Sequence, residues 1–272
     1  MYAFTFEQPT TLEQAVALLA ENDEAKLLAG GHSLVPVMKQ RLAGPSVIVD
    51  LSKIEGLSGI EKSGDSITVG AMTKHYITAG SPIVQQAIPA LASVPASVGD
   101  PAVRHRGTIG GSVANNDPNA DYPAACLALG ATIITSKREI PADEFFQGLF
   151  TTALEQDEII TKFRFPIPDK AAYKKFKHPA SGFALVGVFV AKLGDEVRVA
   201  VTGAGANGVF RVTEFEEALA KNFDAKAIEG IKVSADGLNS DIHASPEYRA
   251  HLIGVMAKRA LNDANAGIAS AE

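Results

Sequence analysis

Two glycine-bearing segments constrain this chain more than anything else in it: Ala29-Gly30-Gly31-His32-Ser33 and Thr108-Ile109-Gly110-Gly111-Ser112. Each is a stretch of backbone without bulky side chains, accompanied by a hydroxyl, and so offers peptide N–H groups to an anion such as a pyrophosphate. The first follows a short strand-like run, Lys26-Leu27-Leu28-Ala29, and precedes a helical pattern from Leu34 to Leu42, with Pro36 in its first turn and Ser33 placed as N-cap. Taken alone it reads equally as a tight corner at a helix start. Two such segments in one chain predict a dinucleotide gripped from both sides. The second is flanked by Arg104-His105-Arg106 and by Asn115-Asn116-Asp117, Asn119 and Asp121. These groups suit ribose hydroxyls and adenine edges, and Asp121 also stands where a helix from Pro123 needs its cap.

The pattern along the chain predicts an α+β protein. A strand over Ala3–Phe6, a capping box over Thr10-Thr11-Leu12-Glu13 and a strand over Val47–Asp50 make a βαβ-like first lobe. Ser66–Gly70, with Ile60 upstream, opens a second lobe; helical sequence runs from about Thr73 to Ser93, and Pro123–Leu129 is apolar and helix-like. Strands over Ala131–Thr135 and Ile160–Phe165 close at Pro166-Ile167-Pro168, the best domain boundary. Beyond it, strand candidates Tyr173–Lys177, Phe183–Ala191 and Glu196–Val201 and helices Thr213–Ala220 and Pro246–Ala266 predict a small antiparallel sheet covered by helices. Gly203-Ala204-Gly205-Ala206-Asn207-Gly208 formally matches a dinucleotide fingerprint, but Val209 to Val212 reads as extended where the fingerprint needs a helix, so the segment is a turn.

Composition removes several function classes. A formal net charge of −6 over 272 residues gives no global basic field, which excludes nucleic acid and anionic membrane as principal partners. The apolar stretch from Gly182 to Ala191 is far shorter than the ~20 residues of a spanning helix, and no leader-like basic and apolar start is visible, so a cytoplasmic protein is expected. One cysteine, Cys126, removes disulfides and iron–sulfur clusters from this chain and reads as a small buried hydrophobe; no histidine pair suggests a metal site.

With Leu34-Val35-Pro36 and Met38-Lys39 attached to the first loop, and Arg106-Gly107, Asp117-Pro118 and Asp121-Tyr122-Pro123-Ala124 around the second, the chain resembles the FAD-binding medium subunits of molybdenum hydroxylases. That family includes the carbon monoxide and xanthine dehydrogenases, and the resemblance covers essentially the whole chain. It implies a two-subdomain FAD-binding fold of the vanillyl-alcohol-oxidase (PCMH) type over 1–57 and 58–168, then an α+β C-terminal domain over 172–272. It implies that Ala29, Gly30, Gly31, His32, Ser33 and Leu34, with Thr108, Ile109, Gly110, Gly111 and Ser112, hold noncovalent FAD. Asp121 matches the family's ribose- or adenine-side carboxylate, Ile159 or Ile160 an adenine-side contact, and Lys177 a lysine near the flavin; His32 is assigned binding, not catalysis. The resemblance further implies partners: a large subunit with a molybdenum cofactor, a small subunit with [2Fe-2S] clusters, a dimer of such heterotrimers, and an external acceptor such as NAD or a quinone. Membrane association, if any, would come through the complex at the inner face. A self-contained flavin oxidase of the same fold is the alternative, disfavoured by the short third domain. A nicotinamide dehydrogenase using Gly203–Gly208 is a further rival, and a pure scaffold is the last.

Overall fold

Three sheets, laid down in chain order, carry the architecture of the computed structural model, which describes residues 1–269; Ser270, Ala271 and Glu272, the end of the expected third domain, lie outside the described residues. The first sheet contains β1 (Thr5–Glu7), β2 (Lys26–Leu28) and β3 (Val47–Asp50) in the order β1-β3-β2, with both pairings parallel. Parallel neighbours require crossovers, which α1 (Leu12–Ala20) and α2 (Leu34–Lys39) supply. The cap of α1 differs by one residue from the expected Thr10–Glu13 pair. Thr11 takes the extended conformation an N-cap needs (φ −128°, ψ 158°), its hydroxyl accepts from the Gln14 N–H at 3.3 Å, and the Gln14 side chain accepts from the Thr10 N–H at 3.0 Å.

Side-chain alternation then splits β3. Val49 joins Ala15 and Leu19 of α1, together with Leu51 and the distant Ile159, in one core, while Ile48 faces the other way with Leu28, Leu34, Val35 and Met38. That second face is only partly covered by α2. It holds an apolar cavity of about 90 Å³ and leaves Phe4 and Phe6 exposed.

The second sheet is antiparallel, with β4 (Ile60–Ser63), β5 (Ser66–Gly70), β6 (Thr132–Thr135), β7 (Glu139–Pro141) and, added last along the chain, the central strand (Ile160–Pro166). A short hairpin, β8 (Phe146–Gly148) and β9 (Thr151–Thr152), precedes that central strand, which is β10 and pairs with both β5 and β6. The single helical stretch expected over Thr73–Ser93 is instead three helices, α3 (His75–Gly80), α4 (Pro82–Ala87) and α5 (Pro89–Ala96). Proline drives the residue before it out of the helical region: Ser81 sits at ψ 119° and Ile88 at φ −138°, ψ 72°, so each proline starts a new helix. Next come α6 (Pro101–Arg106), α7 (Ile109–Asn115) and α8 (Tyr122–Ala128), and later α9 (Ala142–Phe145). Every residue of α8 is buried, because this helix lies between the second sheet and the third. Cys126 is among them, and burial pushes its thiol well above the usual range.

The third sheet is antiparallel in the order β11 (Lys170–Lys177), β12 (Ala184–Leu193), β13 (Glu196–Thr202), β14 (Phe210–Arg211). The continuous apolar run of β12 follows from two covered faces. Val186, Val188 and Val190 share a core with α10 (Thr213–Lys221) and α11 (Pro246–Ala266), while Phe189 and Ala191 join the core of the second sheet. The fold is therefore α+β, with a small antiparallel C-terminal sheet backed by helices. Gly203–Gly208 is a turn between β13 and β14: Gly203, at φ +83°, donates to the Pro118 carbonyl at 2.8 Å and accepts from the buried Arg249 at 3.0 Å. Among the described residues no helix is long and apolar enough to cross a membrane.

Candidate functional site

The first glycine loop leaves β2 and enters α2 with its donors open. Gly31 takes φ +74°, a conformation open to glycine and costly to residues bearing a Cβ, and this turns the chain so that Val35 N–H can reach the Gly31 carbonyl at 3.1 Å. The N–H groups of Gly30, Gly31, His32 and Ser33 donate to no acceptor among the described residues. Ser33 occupies the N-cap position, yet its backbone is helical (φ −105°, ψ −54°) and its hydroxyl makes no cap bond, which corrects the capping role expected for it. Ser33 and His32 are exposed, and Leu34 is half-buried on the apolar cavity below.

The second loop is built differently. Thr108, extended at φ −123° and ψ 154°, caps α7 by accepting from the Gly111 N–H at 3.1 Å. Ile109 N–H donates to the Thr73 carbonyl at 3.2 Å and Gly110 N–H to the Ala71 carbonyl at 2.8 Å. Three donors that the sequence offered to an anion are thus committed to the protein. Gly110 is glycine for packing: a Cβ there would stand 2.7 Å from the Cβ and the carbonyl oxygen of Ala71. Ser112 is half-buried beside Gly111 and continues the helix, its N–H bonded to the Thr108 carbonyl at 3.0 Å.

The two loops touch. A Cβ on Gly30 would overlap the Arg106 carbonyl oxygen and stand 2.7 Å from the Gly107 Cα, while one on Gly111 would lie 3.5 Å from the Cβ of Ala29. Beneath the junction, His75 N–H donates to the Gly107 carbonyl at 3.0 Å, and its ring lies so close to Gly107 that any Cβ there would be 2.7 Å from Nε2. Burial first, and then the His32 charge, lower the His75 pKa from 6.5 to about 4, so the ring under the loops is neutral. Its Nδ1, with Thr78 Oγ1 and Tyr122 OH, is buried without a partner among the described residues, and the His75 and Tyr122 rings are 5.3 Å apart. His32, His105 and Arg106 are exposed near this junction, Arg106 supplying a fixed positive charge in an acidic protein.

The remaining expected site residues lie deeper. Asp121 neither caps α8, where it makes no cap bond, nor faces solvent; it is 6% exposed and its carboxylate is held by the Tyr173 hydroxyl at 2.5 Å and the Lys175 ammonium at 3.0 Å. The expected ribose-side carboxylate is therefore turned into the protein. Ile159 is buried in the core of the first sheet, with its N–H donating to the Ser136 hydroxyl and its carbonyl accepting from the Ser136 N–H. Ile160 is buried at the start of β10. Lys177 is half-buried at the end of β11, just past a register shift.

The polar groups after the second loop also serve the scaffold. Asn116, left-handed at φ 43°, ends α7 and donates from Nδ2 to the Gly148 and Thr151 carbonyls at 2.7 and 2.9 Å, tying down the β8–β9 hairpin. Asp117 accepts from the Asn119 N–H at 2.8 Å. Sequence reasoning missed His75, Tyr173 and Lys175. Its one available signal was Tyr173, Lys175 and Lys177 alternating on a strand that opens a domain.

The comparisons with known proteins agree over the chain's length. The family described as FAD binding domain in molybdopterin dehydrogenase matches residues 2–168, and the CO dehydrogenase flavoprotein C-terminal domain matches residues 171–264. The carbon monoxide dehydrogenase medium chain of Hydrogenophaga pseudoflava is 36% identical over 277 residues, 96% of each chain. The nicotine 6-hydroxylase medium subunit of Paenarthrobacter nicotinovorans is 34% identical over 279 residues, 97% of this chain and 98% of that one. The solved carbon monoxide dehydrogenase from Hydrogenophaga pseudoflava lacking the Mo-pyranopterin moiety of its molybdenum cofactor superposes with a TM-score of 0.87 and 35% identity over 98% of this chain and 99% of that one.

Proposed function

The chain belongs to the family of FAD-binding domains of molybdopterin dehydrogenases, and from that premise we propose that it is the electron-transfer medium subunit of a molybdenum hydroxylase complex. In this reading a large subunit oxidises substrate at a molybdenum cofactor, a small subunit carries [2Fe-2S] clusters, and this chain passes their electrons to an external acceptor. Two such heterotrimers pair, and the acceptor is NAD, a quinone or another carrier. Residues 1–57 and 58–168 form the two halves of the FAD site and 172–272 the domain that closes against them. FAD, when bound, supplies a carrier able to take electrons singly and release them in pairs.

The observation that carries the reading is the junction of the loops: four N–H groups, from Gly30 to Ser33, that donate to no acceptor among the described residues, beside a place where only a glycine at position 30 lets the first loop approach Arg106-Gly107. The residues fit a pyrophosphate. In the proposed site the first loop donates its N–H groups to the phosphates, the exposed Ser33 hydroxyl joins them, Arg106 supplies positive charge and His32 an imidazole ring. Thr108 to Ser112 form the opposing wall, which keeps side chains away and brings the short end of α7 close. Ile159 or Ile160 backs the adenine side from the core, and Lys177 approaches the flavin.

The chain has one cysteine for clusters of its own, and its relatives matched over nearly their whole length are named as medium chains or subunits, which supports the subunit reading over a self-contained oxidase. The test is direct. Purified chain is expected to carry about one equivalent of FAD, released by acid denaturation, and protein from its native cells to co-isolate with a molybdenum subunit and an iron–sulfur subunit. Flavin-free protein that also fails to take up added FAD refutes the binding claim; a lone active oxidase from native cells refutes the subunit claim.

A further inference from the structure

Asp121, Tyr173 and Lys175 form a closed, buried polar network between α8 and β11. The Lys175 ammonium has three donors and three acceptors: both Asp121 oxygens, at 3.1 and 3.0 Å, and the Ser97 carbonyl just after α5, at 3.1 Å. The Tyr173 hydroxyl adds its bond to Asp121 Oδ1 at 2.5 Å. All three side chains are buried, Tyr173 completely. A buried pair with every donor satisfied fixes geometry, because losing either partner strands a charge in the interior.

We propose that Asp121 is a positioning residue that latches β11 to the start of α8 and thereby sets where Lys177 stands toward the FAD site. Strand alternation puts Tyr173, Lys175 and Lys177 on one face of β11, and the register shift between Phe176 and Lys177 leaves its extra residue, Leu185, on the partner strand β12, so the row on β11 runs unbroken to Lys177. The Lys177 charge also reaches Asp121, where burial raises the carboxyl pKa while the Lys175 charge and the Tyr173 and Lys175 hydrogen bonds pull it back, with Lys177 a smaller contributor. Asp121 thus acts on the cofactor through a neighbour and not by contact with ribose. This rests on the FAD-binding reading above, in which Lys177 approaches the flavin.

The experiment measures FAD dissociation constants and the visible flavin spectrum for the full-length chain and for Asp121→Asn, Lys175→Met, Lys177→Met and Asp121→Asn combined with Lys177→Met. Thermal unfolding of the apo chain shows that each variant is folded, and Asp121→Asn/Lys175→Met, which removes both charges, replaces any single variant that is not. Asp121→Asn and Lys175→Met are each expected to weaken FAD about 10-fold with the same spectral shift. In the Lys177→Met background, Asp121→Asn is expected to add less than 2-fold, because the route through Lys177 is already gone. Equal losses from Asp121→Asn in both backgrounds mean direct contact and overturn the proposal. So does unchanged FAD affinity and spectrum in folded Asp121→Asn, or in Lys177→Met. Wild-type chain that takes up no FAD fails the function reading and the latch with it; wild type that binds FAD while the variants add independently fails the latch alone.

Discussion

The two glycine loops look alike in sequence and do opposite work. From Gly30 to Ser33 the peptide N–H groups donate to nothing among the described residues, and the hydroxyl at the N-cap position makes no cap bond. From Ile109 to Gly111 every N–H has a protein acceptor, and the Thr108 hydroxyl is a working cap. The first loop is a set of free donors; the second is a rigid wall in which Gly110 permits close contact with Ala71. Glycine content alone signals an approach of backbone to something, and the hydrogen-bond partners decide whether that something is a ligand or the protein itself.

The largest expected effect comes from Gly110→Val, which forces a branched side chain against Ala71. It should destabilise the chain by about 3 kcal/mol or more, read as a lowered midpoint of denaturant unfolding in the apo protein, with FAD lost as a consequence of the fold. An undiminished midpoint would break the claim that this loop is a packed wall.

Acidity comes next, through the His75 ring under the junction. With a folded-state pKa of about 4 against 6.5 for the free side chain, the unfolded chain takes up this proton first as pH falls. The stabilisation is complete above about pH 6.5, declines below it and is gone near pH 4, in total about 3 kcal/mol. Unfolding midpoints measured from pH 7.5 to pH 4.5 should fall, and His75→Phe should flatten that slope.

Gly31→Ala is smaller and more selective. A Cβ at φ +74° costs about 1–2 kcal/mol and lies 3.2 Å from Val35, so the chain stays folded while FAD titration shows at least a 10-fold weaker complex. Smallest is a pair that sharpens the contrast. Thr108→Ala should cost about 1 kcal/mol of stability as a lost cap. Ser33→Ala should leave stability within about 0.5 kcal/mol yet weaken FAD about 10-fold, the worth of one hydrogen bond to a charged oxygen. Equal effects of the two on unfolding would erase the distinction.

What the sequence discloses follows the range of the forces involved. The bounds of α11 are legible because Pro246 and Gly267 punctuate it locally, and β3 because Val47-Ile48-Val49 is a short β-branched run. The segment over Thr73–Ser93 reads as one helix only if the effect of Pro82 and Pro89 on their predecessors is overlooked. At the site, strand, Gly-Gly and helix order identifies the first loop. The commitment of the second loop's donors is illegible, because their acceptors, Ala71 and Thr73, belong to a different stretch of chain. The density of Asn and Asp after that loop misleads for the same reason: its partners are Gly148, Thr151, Tyr173 and Lys175, which only the folded chain brings near.

The central place of β10 imposes a timetable. The shelf that fixes the second loop hangs on it, since Ala71 N–H bonds to the Thr161 carbonyl at 2.9 Å and β5 and β6 meet only through β10. At ribosomal rates of about 5–20 residues per second, the first loop waits roughly six to twenty-six seconds for that strand to be synthesised. The meeting of the loops consequently waits for β10 rather than for the loops themselves, and a nascent chain stalled before Ile160 would carry both glycine loops without the platform that lets them meet.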